Sequence, residues 1–370
     1  MRQLINAVVL AAGKSKRFRG QVSKIVTKIC GREMIVYPLT TLAQLELDTT
    51  VVVGKLATNI SDIVSRHNIK NVNFAHQKEA LGTGHAASCS RPFWEKPHVL
   101  VINGDTPLIT KDLIEELAHT HISTDAAVSI VTSFVTEPAS YGRVIEDKAG
   151  IRIIEAKDCS LQQKKINKIN AGMYLFKKEF LEKYIDSLET QNAAGEFYLT
   201  DLIKIANDNN LKINLVSRSY DEVRGINNLE ELWAVEQIKR SEIMRNLMLS
   251  GVRFELAQTI HVDVDVQIGD GSFIGNGALL LGKTKIGQNC KVLASSIVEN
   301  STIGNDTVIH SHSIVKNSSV GNKCEVGPFA NVKEHSKLQD NSTVVSFSEI
   351  KNSIPHTRNK SNHKKRQVSA

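Results

Sequence analysis

The chain predicts an α/β domain with a mainly parallel sheet followed by a short parallel β-helix of hexapeptide repeats, and three observations predict it. Residues 6 to 228 alternate short β-branched runs with amphipathic stretches, the pattern of strands joined by crossover helices. Residues 229 to 249 carry apolar side chains at helical spacing. Beyond residue 252 apolar residues recur at every sixth position, where an antiparallel barrel would alternate at period two. At 370 residues the chain suits two domains, each able to bury an interior.

Taken in order, Ala7 to Leu10, Thr50 to Val53, Val99 to Ile102 and Ala127 to Val131 are the clearest strands. Helices are expected near Glu33 to Leu45 and Thr110 to Ala118, with Thr110 placed to cap the second. Ligands of such a sheet sit at the carboxyl ends of its strands, where Gly13 and Asn103-Gly104-Asp105 fall. A connecting helix from Leu229 to Leu249 offers Leu232, Trp233, Ile238, Met244, Leu247 and Met248 as apolar positions, and Gly251 is placed to end it. Its length would be roughly 30 Å. The repeat then runs through Ile268, Ile274, Leu280, Ile286 and Val292. It resumes after a five-residue step at Ile297, Ile303, Ile309 and Val315, and after another at Val320, Val326, Val332, Leu338, Val344 and Ile350. Gly269, Gly275, Gly282, Gly287, Gly304, Gly321 and Gly327 stand at or near the corners. Each apolar residue is expected to point into a prism whose coils supply each other's hydrogen bonds. The expected divisions are 1–228, 229–251, 252–354 and a basic tail from 355 to 370.

Composition narrows the function. Hydrophobic residues at 41% and charged residues at 23% are ordinary for a globular enzyme, and no apolar run approaches the roughly 20 residues of a membrane helix. The apolar start does not read as a secretory signal, because Asn6 interrupts it and Lys14, Lys16, Arg17 and Arg19 follow at once. Cys30, Cys89, Cys159, Cys290 and Cys324 are odd in number and far apart, which reads as reduced thiols of a cytoplasmic protein. The net charge of +7 includes six basic residues among the last twenty, so the body carries only +1. The basicity therefore belongs to a solvated, disordered tail and does not argue for nucleic-acid binding.

Two constellations carry chemistry. Leu10-Ala11-Ala12-Gly13-Lys14-Ser15-Lys16-Arg17, with Lys24 beyond, is a strand entering a small basic loop. Its backbone N–H groups can approach phosphates that Arg17 and Lys24 neutralise; by itself it fits a solvated basic turn equally well. Val99 to Asp105 is an apolar strand delivering a carboxylate at its end, a rigid mount for an oxygen ligand to a hard cation. Alone, Asn-Gly-Asp is also ordinary turn chemistry.

The conjunction decides between these readings. Leu-Ala-Ala-Gly with Arg17 and Lys24, Gln77 with Leu81-Gly82-Thr83-Gly84-His85-Ala86, and Gly104-Asp105-Thr106-Pro107-Leu108 come in order. Tyr141-Gly142-Arg143-Val144, Ile154 to Asp158, Ile169-Asn170-Ala171-Gly172, Glu196 to Asp201 and Gly225-Ile226-Asn227-Asn228 follow. Over almost all of residues 5 to 350 the chain resembles the bifunctional N-acetylglucosamine-1-phosphate uridylyltransferase and glucosamine-1-phosphate acetyltransferase family. The resemblance implies a Rossmann-like nucleotidyltransferase domain, a left-handed β-helix, and a cytoplasmic homotrimer formed through that β-helix. It implies UTP and N-acetylglucosamine 1-phosphate as substrates and Mg2+ as cofactor. Leu10, Ala11, Ala12, Gly13, Gln77, Gly82 and Thr83 would hold the uridine, Gln77 and the segment from Leu81 resembling the family's uracil-binding part. Asn103, Gly104 and Asp105 would also bind the nucleotide, with Arg17 and Lys24 catalytic at the triphosphate. Gly142, Glu155, Asn170, Tyr198, Thr200 and Asn227 would hold the sugar, and Asp105 and Asn227 the metal.

The chain departs from the family at Ser15 and Lys16, where a glycine and a threonine are usual, and at Ser23, where a proline is. Lys351 matches a sugar-binding lysine of the acetyltransferase site, but Lys333 replaces an arginine and the general-base histidine has no counterpart. The expectation is uridylyl transfer without acetyl transfer. The alternatives are a uridylyltransferase for another sugar 1-phosphate and a catalytically silent trimeric scaffold.

Overall fold

The structure, a computed structural model, describes residues 1–13, 24–54 and 57–351. Arg17, the departures at Ser15, Lys16 and Ser23, and the tail after Lys351 lie outside the described residues. The chain divides into two units, residues 1–29 with 33–235 and residues 30–32 with 236 onward.

In the first unit the β-branched runs form β1 (Ile5–Leu10), β2 (Thr49–Val53), β3 (Val72–His76), β4 (His98–Asn103) and β5 (Val128–Phe134). They are joined by β6 (Arg143–Asp147), β7 (Gly150–Ile154), β8 (Lys168–Lys177) and β9 (Ile213–Ser217). The nine-stranded sheet runs β9-β5-β8-β4-β1-β2-β3, with β6 pairing β8 and β7. The pairs β4-β1, β1-β2, β2-β3 and β5-β9 are parallel, while β8 lies antiparallel between β4 and β5. Alternate residues feed two separate cores: Ala7, Val9, Val51, Val53, Leu100 and Ile102 join one, and Val8, Val52, Val99 and Val101 the other. Burial on both faces is why these strands read as continuous apolar runs. Helix α1 (Val36–Gln44) and helix α4 (Lys111–Ser123) lie where periodicity expects them, and two further helices, α2 (Ala57–Arg66) and α3 (Thr83–Cys89), which the sequence reading does not single out, stand between them in the chain. Thr110 caps α4, its hydroxyl oxygen accepting from Leu113 N at 3.2 Å.

Of the remaining helices, α5 (Lys178–Tyr184), α6 (Asp201–Asp208), α7 (Tyr220–Val223) and α8 (Leu229–Leu249), the last matches its expected span. Gly251, at φ +91°, donates to Met248 O at 3.0 Å while Val252 N donates to Leu247 O at 3.0 Å, the paired bonds of a Schellman stop. Met244 is buried as expected, but Trp233 and Met248 do not serve as core contacts; they are 63% and 46% exposed, and Val235, which is not among the expected positions, is buried.

In the second unit short strands stack into three parallel sheets of six, six and five strands, a left-handed β-helix. The inward residues are Ile268, Ile274, Leu280, Ile286, Val292, Val298, Ile303, Ile309, Val315, Val320, Val326, Val332, Leu338 and Val344. One expectation is corrected here. Ile297 faces outward over Leu279, and Val298, fully buried over Leu280, takes the inward place. The five-residue step therefore falls between Val298 and Ile303. Two adjacent β-branched residues cannot be told apart by period, and register with the coil below decides which turns inward.

The corner glycines also divide into kinds. A Cβ on Gly269 would meet Gly287 C at 2.6 Å, one on Gly304 would meet Gly321 C at 2.6 Å, and one on Gly321 would meet Asp340 N at 2.6 Å. These glycines form a column in which backbone passes over backbone. The positive-φ corners are filled mostly by other residues, among them Asn289, Ser295, Asn300, Asp306, His312, Asn317, Lys323, Phe329, His335, Asn341 and Phe347.

Candidate active site

At the carboxyl ends of β1 and β4 two chain segments lie side by side, Leu10 opposite Asn103 in register, and Gly104 N donates to Leu10 O at 2.9 Å. This end of the sheet opens into a cavity of about 540 Å³, large enough for a nucleotide-sized ligand. Leu10, Ala11, Ala12, Gly13, Lys24, Gln77, Gly82, Thr83, Asn103 and Asp105 line it, and so do Gly142, Glu155, Asn170, Thr200 and Asn227. The fold thus gathers around one cavity residues separated by more than two hundred positions. Gly104 and Tyr198 do not line the cavity. A Cβ on Gly104 would stand 2.8 Å from Ile35 Cδ1 and 3.1 Å from Leu10 O, so its lack of side chain lets the turn pass the neighbouring strand. The Tyr198 hydroxyl donates to Asp158 Oδ2 at 3.2 Å.

Lys24 sits at the charged end. Its ammonium pairs with the Asp105 carboxylate and donates to Asn227 Oδ1 at 3.1 Å. Two oxygen donors from distant segments therefore converge on one positive centre, which is the arrangement a hard cation needs. The Asp105 carboxylate and the Asn227 amide oxygen fit a divalent metal, which would take its remaining ligands from outside these side chains; no cluster of three metal-ligating side chains occurs among the described residues. Asn227 is held from behind, its backbone N–H donating to the Glu231 carboxylate, while Glu231 N donates to Asn228 Oδ1 at 2.8 Å.

The far wall joins two motifs that are remote in sequence. Phe197 N donates to Leu81 O and Gly84 N to Phe197 O, both at 2.8 Å, and Leu199 N donates to Thr83 Oγ1 at 3.0 Å. Gly82, at φ +115°, has Phe197 O 2.5 Å from where a Cβ would stand, so no larger residue fits between the two segments. Opposite, β8 carries a bulge: Asn170 pairs with Thr132 but Tyr174 with Ile130. Such a bulge re-aims side chains. Here it puts Gly172 at φ +71° against the Asn103 amide, whose Nδ2 lies 2.2 Å from a Cβ position, while Gly172 N donates to Asn170 Oδ1 at 3.1 Å.

Glu155 accepts from Thr200 Oγ1 at 3.0 Å. Burial raises its pKa above the usual carboxylate range and the charges of Asp158, Asp201 and Glu196 push the same way, against the Thr200 hydrogen bond. Sequence reasoning quoted but gave no role to several residues of the lining, including Thr106, Tyr141, Lys157, Glu196 and Gly225. The Tyr141 hydroxyl accepts from Gly225 N at 2.9 Å, tying the segment before β6 to the one carrying Asn227. Buried Arg143 donates to the Tyr141 carbonyl and to Ala139 O at 3.3 Å, which holds the loop presenting Gly142. The Tyr-Gly-Arg triplet was the available signal, but its internal bonds were not legible.

The fold and this cavity define a sugar-phosphate nucleotidyltransferase, and the comparisons agree. Residues 7–155 match the MobA-like NTP transferase domain and residues 256–367 the GMPPB C-terminal domain. A Bacillus anthracis structure solved as that of a proposed glucose-1-phosphate thymidylyltransferase in complex with sucrose superposes with a TM-score of 0.52 at 18% identity. It covers 63% of this chain and 94% of that one, a likeness of fold. The chain is 36% identical to the bifunctional protein GlmU of Clostridium botulinum strain 657 over 363 residues, 96% of this chain and 78% of that protein. It is 35% identical to GlmU of Clostridioides difficile strain 630 with the same coverage, and 35% identical to GlmU of Clostridium beijerinckii over 94% of this chain and 76% of that protein. The chain belongs to the GlmU family.

Proposed function

We propose that this chain transfers a uridylyl group from UTP to N-acetylglucosamine 1-phosphate, giving UDP-N-acetylglucosamine and pyrophosphate, with Mg2+ as cofactor. The observation that carries the reading is the Lys24 ammonium seated between Asp105 and Asn227 at one end of a cavity whose other walls bear Gln77, Gly82 and Thr83 and, separately, Glu155, Asn170 and Thr200. A phosphate oxygen of the sugar phosphate attacks the α-phosphorus of UTP as the bond to the pyrophosphate oxygen breaks. Both reactants are anions, so positioning and charge neutralisation supply most of the catalysis. Lys24 meets the triphosphate, with Arg17 assigned beside it by the family resemblance. Asp105 and Asn227 would hold the metal, whose chemistry is to neutralise charge on the transferring phosphoryl group. Glu155, Asn170 and Thr200 offer carboxylate, amide and hydroxyl groups to the sugar's hydroxyl and acetamido groups. Pyrophosphate release from UTP, followed with Mg2+ across a panel of sugar 1-phosphates, tests this. Preference for glucose 1-phosphate would reassign the sugar, and no release with any acceptor would leave the scaffold reading.

Acetyl transfer is not part of the proposed function. Lys333 and Lys351 both bond to Glu349, at 2.7 and 3.1 Å, and the general-base histidine of the acetyltransferase site has no counterpart in the sequence. The chain is expected to release no thiol from acetyl-coenzyme A in response to glucosamine 1-phosphate; release that depends on the amino sugar would overturn this. The chain is further proposed to be cytoplasmic, supported by five cysteines that are all free thiols, and to assemble as a homotrimer through the β-helix. Support for assembly comes from one face of the prism. Because Leu280, Val298 and Val315 point inward, their neighbours Leu279, Ile297 and Ile314 point outward and stack in register as an apolar stripe.

A further inference from the structure

The Gln77 carboxamide has two N–H donors and one acceptor oxygen. Its Nε2 lies 3.0 Å from the Gly82 carbonyl oxygen and 3.0 Å from His85 Nδ1. A carbonyl can only accept, so the Gly82 contact alone decides which end of the amide is NH2. The second proton then goes to His85 Nδ1, which must be an acceptor, and the ring proton sits on Nε2. With both protons engaged, the amide oxygen remains. Among the described residues it takes no hydrogen bond, and Gln77, itself only 6% exposed, lines the cavity.

We propose that His85 is a positioning residue for nucleotide selection: it holds the Gln77 carboxamide with its oxygen toward the cavity, so that the site takes a pyrimidine carrying a ring N–H and refuses one whose corresponding nitrogen is an acceptor. This rests on the reading of Gln77 as a contact to the base. The uracil imide donates to the oxygen. Cytosine, with a lone pair at that nitrogen, meets acceptor against acceptor and leaves a buried group unpaired, the kind of mismatch by which polar sites discriminate most strongly. Cytosine would fit only if the carboxamide turned over. That rotation would set its oxygen against both the Gly82 carbonyl and the His85 Nδ1 lone pair. Removing the second of these repulsions makes rotation easier.

The test compares UTP with CTP at saturating sugar 1-phosphate in the wild type, His85→Phe and His85→Asn. Phenylalanine keeps a ring beside Phe197, whose centroid lies 6.4 Å from that of His85, but has no acceptor. Asparagine can place its Oδ1 near the site of Nδ1. The UTP/CTP ratio of kcat/KM should fall about ten-fold in His85→Phe, carried by KM and not kcat, with a melting temperature close to wild type, and should return in His85→Asn. An unchanged ratio in folded His85→Phe, or an Asn variant as unselective as the Phe variant, would overturn the proposal. A wild type that does not distinguish UTP from CTP would refute the base contact of Gln77 itself, and that failure would show before any substitution is made.

Discussion

At the residue scale, the cationic end of the cavity depends on three side chains from three distant segments. Asp105 is rigidly mounted, its strand bonded to β1 on one side and β8 on the other, and it contributes charge and not core packing. Asp105→Ala should therefore still fold, giving a cooperative melting curve, yet lose pyrophosphate release by about 100-fold. Asn227→Ala, which removes a neutral ligand, should lose about ten-fold; an unchanged Mg2+ dependence in either variant would refute the metal assignment. Glu155 supports a second prediction. Its folded pKa is raised, chiefly by burial, so the native state favours the protonated form. Its contribution to stability is then present below the ordinary carboxylate pKa and is lost as pH rises through the raised value. Glu155→Gln should raise the melting temperature at pH 7, show no gain near pH 4, and weaken sugar-phosphate binding. Equal effects at both pH values would contradict this.

At the scale of elements, the same residue type serves different ends, and only neighbours reveal which. Gly304 is needed because Gly321 and Asn322 backbone atoms would lie 2.6 and 2.7 Å from its Cβ. Overpacking of backbone against backbone cannot relax by a rotamer change, so Gly304→Ala should cost about 1–3 kcal/mol in urea unfolding; a loss under 0.5 kcal/mol would refute the close approach. The cysteines of the β-helix are another case. Cys290 and Cys324 donate to carbonyls of the next coil at 3.0 Å, as Ser272 and Thr307 do at 2.9 and 2.8 Å. They substitute for small hydroxyl residues in one corner column, which explains why they are buried thiols without partners for disulfides. The β8 bulge belongs here too: nothing in the apolar pattern of Ile169 to Leu175 announced it, yet it gives Asn170 and Gly172 their places at the cavity.

For the whole molecule, assembly is expected to follow the outward stripe of Leu279, Ile297 and Ile314. Closed cyclic symmetry lets such a face be covered without leaving an open edge. Light scattering should give the mass of three 40.8 kDa chains, and Ile297→Glu should lower it toward one while the catalytic rate per chain persists. A monomeric wild type would contradict the trimer.

Strands buried on both faces, the capped helix after Thr110, the stop at Gly251 and the sixfold repeat were all legible in the sequence by itself, because each is a local pattern enforced by burial or backbone conformation. So were most of the cavity residues, though through resemblance and not through spacing. Tertiary structure alone decided the rest: that Val298 and not Ile297 turns inward, that Trp233 stays exposed, and that Leu81 to Gly84 and Phe197 to Leu199 form one wall. It also decided that Lys24 reaches across to Asp105 and Asn227, and that the Gln77 amide meets both Gly82 and His85. Each of these is a choice between locally equivalent arrangements, settled by a partner far away in the chain.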